Sequence, residues 1–330
     1  MRAPVPVLTP TNDTHSPPTL LEVHHANHPP QQQQQPDEST PTVAKLVFVH
    51  GFSDHVGRYY DFFPSLARSG IAVYAFDQRG WGRSVRHPSE KGLTGPTAQV
   101  LSDIAAFFES VAPLEPASAP LFVMGHSMGG GEVLALASTP EHEGRVASRV
   151  RGWLLEAPFI GFAEAERPSA LKVIAGRLAG KLLPRMHLVN VIAPENLTRD
   201  PEVQRSLRED ALCHDTGTLE GLAGLLDRTG DLQSGKLRLS PKVQSLWLGH
   251  GDADMATSHG ASKEWFDRQT QVGDRTFKTY EGGFHQLHAD FSREEFLADV
   301  RGWILERAAG TGREAAAEGE GAAGKIESKL

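Results

Sequence analysis

The run Leu121-Phe122-Val123-Met124-Gly125-His126-Ser127-Met128-Gly129-Gly130 holds a strand, a turn and the start of a helix. Its first four residues are apolar and predict a buried strand. The small-residue pattern from Gly130 to Ala137 predicts a helix, and Ser127 stands at the turn between the two. Glycine on each side allows a turn too tight for neighbouring side chains. Such a turn lifts the serine hydroxyl clear of a sheet. It also aims the next backbone N–H at a carbonyl that the serine would attack. A G-x-S-x-G match alone is weak in a chain with 33 glycines, so the surrounding sequence must carry the reading.

Working outward, Lys45 to His50 is an apolar, β-branched run that ends at Gly51. Arg58 to Arg68 has helical periodicity through Tyr59, Phe62, Phe63 and Leu66, and Ile71 to Phe76 is a second buried strand. Gln99 to Ala112 predicts a helix with Val100, Ile104, Phe107, Phe108 and Val111 on one side, and Gly152 to Glu156 predicts a strand after the elbow. Strands alternating with helices imply a mostly parallel sheet covered on both faces. The alternation stops at Pro158 and resumes with Val243 to Leu248, a helix near Ala261 to Arg268, a strand at Thr276 to Tyr280 and a helix from Glu294 to Arg307. The expectation is an α/β-hydrolase fold with core segments 43–157 and 241–308, and a helical cap inserted at 158–240. Residues 1–42, rich in Pro and Gln, are expected to be largely disordered apart from a short edge strand in Leu20 to His25. Residues 309–330 are expected to form a flexible tail.

A serine hydroxyl needs a base, and the base needs an orienting acid. In this fold the order along the chain is Ser, then Asp or Glu, then His. The strand ending at Leu248 leads into Gly249-His250-Gly251-Asp252-Ala253-Asp254, where Asp254 has the G-x-x-D spacing and Asp252 is the alternative. The base is expected in Gly282-Gly283-Phe284-His285-Gln286-Leu287-His288, with His285 preferred over His288. Two preorganised N–H groups should hold the oxyanion. The candidates are the backbones of Met128 and of Phe52, which follows the early His50-Gly51 turn. This chemistry requires no metal and no organic cofactor.

Composition narrows the setting. The chain has 330 residues, 39% hydrophobic and 22% charged, which suits a large globular core. A net charge of -8 argues against nucleic acid as a partner. With Cys213 as the single cysteine, no internal disulfide can form, and a reducing compartment is expected. No apolar stretch reaches the length of a membrane span, and no secretory leader is visible, so the protein is not expected to be secreted. Ser328-Lys329-Leu330 matches the peroxisomal address, which makes the peroxisomal import receptor an expected partner. The alternatives are a cytoplasmic, lipid-droplet or membrane-associated location.

Taken together, the chain resembles the monoglyceride lipase family of serine hydrolases over about residues 44 to 308. The segments that carry this are His50-Gly51-Phe52-Ser53-Asp54-His55-Val56-Gly57-Arg58-Tyr59, then Phe76-Asp77-Gln78-Arg79-Gly80-Trp81-Gly82-Arg83-Ser84. Gly125-His126-Ser127-Met128-Gly129-Gly130, Gly251-Asp252-Ala253-Asp254 and Tyr280-Glu281-Gly282-Gly283-Phe284-His285-Gln286-Leu287-His288 complete the set. The resemblance implies a triad of Ser127, Asp254 and His285, with Phe52 and Met128 as oxyanion donors. It also implies that Asp54, Arg58 and His288 sit near a glycerol head group, with Asp54 standing where the family has the longer Glu.

The expected activity is cleavage of a carboxylic ester, monoacylglycerol to glycerol and fatty acid, through an acyl-enzyme. The alternatives on the same triad are an acyl-CoA thioesterase, a lysophospholipase and an acyltransferase. A non-catalytic lipid-binding protein on a hydrolase scaffold is the alternative of another class. Within the cap, Leu171 to Val189 is apolar at helical spacing, while Arg177, Lys181 and Arg185 form a basic face up to a break at Pro184. That pattern fits either a packed lid helix or one lying on an anionic membrane surface. Cys213 is expected in the cap, near the acyl path that the resemblance implies.

Overall fold

The computed structural model describes residues 6–9, 19–22, 41–114 and 118–327. Most of 1–42, and Ser328, Lys329 and Leu330, therefore lie outside the described residues. In chain order the strands are β1 (Pro6–Thr9), β2 (Thr19–Glu22), β3 (Ala44–Val49), β4 (Ile71–Ala75), β5 (Leu121–His126), β6 (Val150–Glu156), β7 (His187–Val189), β8 (Thr216–Thr218), β9 (Ser245–Gly251) and β10 (Asp274–Tyr280). The helices are α1 (Phe62–Arg68), α2 (Thr97–Val111), α3 (Met128–Ser138), α4 (Ala170–Leu182), α5 (Pro201–Glu209), α6 (Leu219–Gln233), α7 (His259–Asp267) and α8 (Arg293–Glu327).

The main sheet runs β10-β9-β6-β5-β3-β4-β1-β2, parallel throughout except for the antiparallel pair β1–β2. Period-two alternation sends successive side chains to opposite faces. In β3, Val47 and Val49 join a buried cluster with α2, α3 and α7, whereas Leu46 and Phe48 join another with α1 and α8. The chain leaves β3 for β4 on one side and then crosses to β5 on the other. Such a switch point opens a crevice beyond the carboxyl ends of the two strands. His50 and Ser127 come directly after those ends.

Residues 157–244, between β6 and β9, carry α4, α5 and α6 together with the antiparallel ribbon β7–β8. The ribbon has no counterpart in the sequence reading, because strands of three residues are too short to show a period. α4 ends at Leu182, two residues before Pro184, and the chain turns there into β7. β2 overlaps the edge strand expected in Leu20 to His25 and lies at the edge of the sheet. Two further elements differ from expectation: β1 falls within 1–42 outside that stretch, and α8 runs on to Glu327 where a flexible tail is expected. Ala315, Ala316 and Ala317, flanked by Glu314 and Glu318, have high helix propensity, which offsets the nearby glycines. No helix among the described residues is long and apolar enough to cross a membrane.

Candidate active site

Ser127 has φ 53° and ψ −119°, a left-handed conformation that a residue with a side chain rarely adopts. Its neighbours hold it there. Ser127 N–H donates to Glu156 O at 3.0 Å, and its own carbonyl accepts from Phe159 N–H and Gly131 N–H. The flanking glycines make the turn sterically feasible. A Cβ on Gly125 would lie 2.5 Å from Gly129 O, and one on Gly129 would lie 2.3 Å from Val49 O. α3 therefore abuts the end of β3, and a Cβ on Gly51 would come within 3.2 Å of Ser127 Cβ. This packing brings the Phe52 loop beside the elbow. Neither Phe52 N–H nor Met128 N–H has an acceptor among the described residues; Met128 opens α3, where the first N–H groups have no intrahelical acceptor.

Asp254 lies beyond the end of β9, and its side chain is sealed from solvent with both carboxylate oxygens engaged. Oδ2 accepts from Thr257 Oγ1 at 2.8 Å and lies 2.8 Å from His285 Nδ1 and 3.0 Å from His250 Nε2. Oδ1 accepts from the backbone N–H groups of Ala256 and Thr257. Burial alone would raise its pKa, but the neighbouring His285 and His250 outweigh that and hold it far below the usual carboxylate range. Asp252, the alternative, instead accepts from Gly282 N–H at 2.6 Å. The loops meet because Gly251 leaves room: a Cβ there would lie 2.1 Å from Gly283 O.

His285 is buried, and its ring centroid lies 5.0 Å from that of His126, the residue before Ser127. Burial lowers its pKa while Asp254 raises it, and the net effect is upward. No hydrogen bond joins Ser127 Oγ to His285 among the described residues. Contacts between nucleophile and base commonly tighten only once substrate is bound.

The residues expected near a head group are engaged in protein contacts. Asp54 is buried and accepts from Tyr59 Oη at 2.7 Å and from His55 N–H at 2.8 Å. Arg58 reaches into the insertion, donating to Ser206 Oγ at 2.9 Å and to Asp210 Oδ2 at 3.3 Å, and it also bonds Tyr60 Oη. His288 pairs through Nδ1 with Glu156 Oε1 at 2.7 Å and packs its ring on Tyr59, with centroids 4.4 Å apart. Cys213 lies in the insertion near His55 and Asp210, and burial drives its thiol pKa strongly upward.

Sequence reasoning missed Glu156, His250, Tyr59 and His126 as members of this network. The one signal for Glu156 is a charge closing the apolar run Trp153-Leu154-Leu155. Among the described residues, two groups could bring three metal-ligand atoms within 4.8 Å: His126-Glu156-His288 and His55-Asp210-Cys213. In each, a histidine and a carboxylate are already joined, at 2.7 Å for His288–Glu156 and 2.9 Å for His55–Asp210.

The fold and the elbow define a serine hydrolase of the α/β-hydrolase class, acting on carboxylic esters. The family described as "Serine aminopeptidase, S33" matches residues 40–292, and the chain belongs to it. Within it, the chain falls among the monoglyceride lipases. It is 32% identical over 268 residues to a putative monoglyceride lipase of Schizosaccharomyces pombe, covering 80% of this chain and 68% of the relative. It is 29% identical to the monoglyceride lipase of Rattus norvegicus, covering 82% of this chain and 86% of the relative. A solved structure of a soluble variant of Saccharomyces cerevisiae monoglyceride lipase shares the fold, with a TM-score of 0.73 at 21% identity. That match covers 82% of this chain and 88% of the solved one.

Proposed function

We propose that this protein hydrolyses monoacylglycerols through an acyl-enzyme, with Ser127 as nucleophile, His285 as base and Asp254 as its orienting acid. The observation that carries this reading is the 2.8 Å contact between Asp254 Oδ2 and His285 Nδ1, next to a serine in a left-handed turn. The buried carboxylate fixes the imidazole tautomer, leaving Nε2 to take the Ser127 proton. The serine oxygen attacks the ester carbonyl, and the Phe52 and Met128 N–H groups receive the developing oxyanion. His285 returns the proton to the departing glycerol oxygen. It then activates a water that releases the fatty acid and restores Ser127. Asp54 and His288 support the site from behind, through Tyr59 and Glu156.

The insertion suits delivery from a lipid surface. Of the eleven exposed large hydrophobic side chains among the described residues, seven lie between Leu178 and Val191, with Leu182 82% exposed. Lys181 and Arg185 interleave with them, a pairing of apolar and basic groups suited to an anionic membrane surface.

A fluorophosphonate probe should label Ser127, and the protein should release fatty acid from 1-monoacylglycerol. A folded protein that neither labels nor turns over any ester would overturn the reading. Faster turnover of acyl-CoA than of monoacylglycerol would redirect it to thioesters.

A further inference from the structure

Asp254 lies in the loop after β9, and a loop is a less exact platform for a reacting group than a strand. The strand itself carries an imidazole just before that loop. His250 belongs to β9, stands in register with Thr279 of β10, and is 0% exposed. Its Nε2 lies 3.0 Å from Asp254 Oδ2, the same oxygen that lies 2.8 Å from His285 Nδ1. A bare Nε2 would set its lone pair against a carboxylate oxygen, so Nε2 carries the proton and donates. The other ring nitrogen, Nδ1, is buried with no partner among the described residues. The ring is therefore tied to the site through Nε2.

Three donors converge on Asp254 Oδ2. One of them, Thr257 Oγ1 at 2.8 Å, also lies 3.2 Å from Ala157 O and has a single hydroxyl proton to divide between the two. His250 Nε2 is nearer to the carboxylate than to Thr257 Oγ1, which is 3.3 Å away. His250 is thus the firm partner that shares this oxygen with His285. Sharing has an electrostatic consequence. A hydrogen bond to an ionised carboxylate stabilises its charge, and the positive end of the donor opposes a neighbouring imidazolium. Asp254 therefore holds a proton on His285 less tightly than an unshared carboxylate would. Besides Asp254, the titratable group beside His250 is His259, with ring centroids 5.5 Å apart and its own pKa lowered by burial. The other charges acting on His285 are Glu156 and Asp54.

We propose that His250 is a positioning residue of this active site: anchored in β9, it holds Asp254 in register with His285 and tempers the carboxylate's pull on the His285 proton. This rests on the triad reading above. The test measures kcat and KM for 1-monobutyrin across pH in the native full chain, in His250→Met and in His250→Gln. The glutamine amide can place an N–H near the position of Nε2, whereas methionine offers no donor. In His250→Met the acid limb of kcat/KM should move up by about half a pH unit or more, opposite in sign to the shift expected on removing the carboxylate itself. Its kcat should fall by about tenfold, through loss of alignment, with KM nearly unchanged because His250 is sealed from solvent. His250→Gln should restore the native limb and most of kcat. The position of the limb does not depend on how much of the protein is folded. His250→Asn, whose amide stops short of Asp254, takes the place of His250→Met should that variant not fold. A limb unmoved in the variant without a donor, or moved equally in His250→Gln, would overturn the proposal and leave His250 as packing beneath the loop. Absence of turnover by the native protein on every ester would instead overturn the hydrolase reading, and this role with it.

Discussion

Glu156 Oε1 lies 2.7 Å from His288 Nδ1, and both side chains are sealed from solvent. Glu156 closes β6, and its backbone carbonyl accepts from Ser127 N–H, so one residue anchors both the nucleophile turn and the loop after β10. Burial raises the Glu156 pKa, but His288 and His126 outweigh this and the net shift is downward. The stability that this carboxylate contributes is present above its ordinary 4.5 and is lost as pH falls through the lower folded value.

Removing one partner leaves the other buried and uncompensated. His288→Leu should destabilise the fold by about 3 kcal/mol or more in urea unfolding. The double variant Glu156→Leu/His288→Leu should recover part of that loss. Strict additivity of the two single changes would show that the pair is not coupled.

With His285 as the proposed base, the pH dependence of turnover should follow its titration. Burial pushes its pKa down, Asp254 pushes it up, and the result lies above the ordinary 6.5. A base must be neutral, so kcat/KM should fall as pH drops through that value. Stability runs the other way: the contribution from the paired imidazolium is complete below 6.5 and is lost as pH rises through the folded value. Asp254→Asn should lower kcat by about 10⁴-fold and move the acid limb of the profile to lower pH. A limb that stays in place would remove Asp254 as the partner that sets it.

Two glycine substitutions should have opposite outcomes. A Cβ on Gly129 would lie 2.3 Å from Val49 O and 2.5 Å from His50 O, both main-chain atoms that cannot swing aside. Gly129→Ala should destabilise by about 3 kcal/mol and reduce activity through displacement of α3. Gly144 has nothing within 4 Å of such an atom, and Gly144→Ala should stabilise by up to about 1 kcal/mol. Equal melting temperatures for the two variants would contradict this account.

The exposed stripe on the insertion can be tested at a lipid surface. Leu182→Glu/Val189→Glu exchanges two exposed apolar side chains for charges and should weaken partitioning onto anionic vesicles by about tenfold or more. Turnover of a short soluble ester by the same variant serves as the control. Unaltered vesicle binding would place the membrane contact elsewhere.

The parallel core was legible because its strands are continuous apolar runs and α2 repeats its buried positions at helical spacing. The elbow was legible because a serine between glycines, after such a run, has few structural alternatives. The ribbon β7–β8 and the helical continuation beyond Arg307 were not, since three-residue strands lack a period and glycines mask an alanine-rich helix. Asp54 and His288 could be listed as polar residues near a site. Nothing in their spacing shows that Tyr59 and Glu156 occupy them.

Sequence alone determined the order of strands and helices, the serine at the turn, and an Asp and a His following it in the required order. These are local properties, set by backbone sterics and by the period of burial. Only the tertiary structure sets Asp254 against His285 and Asp252 against Gly282 N–H, because those contacts depend on Gly251 letting two loops approach. It also places Glu132 against Arg228, 96 residues away along the chain. A buried carboxylate takes its character from its neighbours in space, and those are settled only when the insertion packs onto the core.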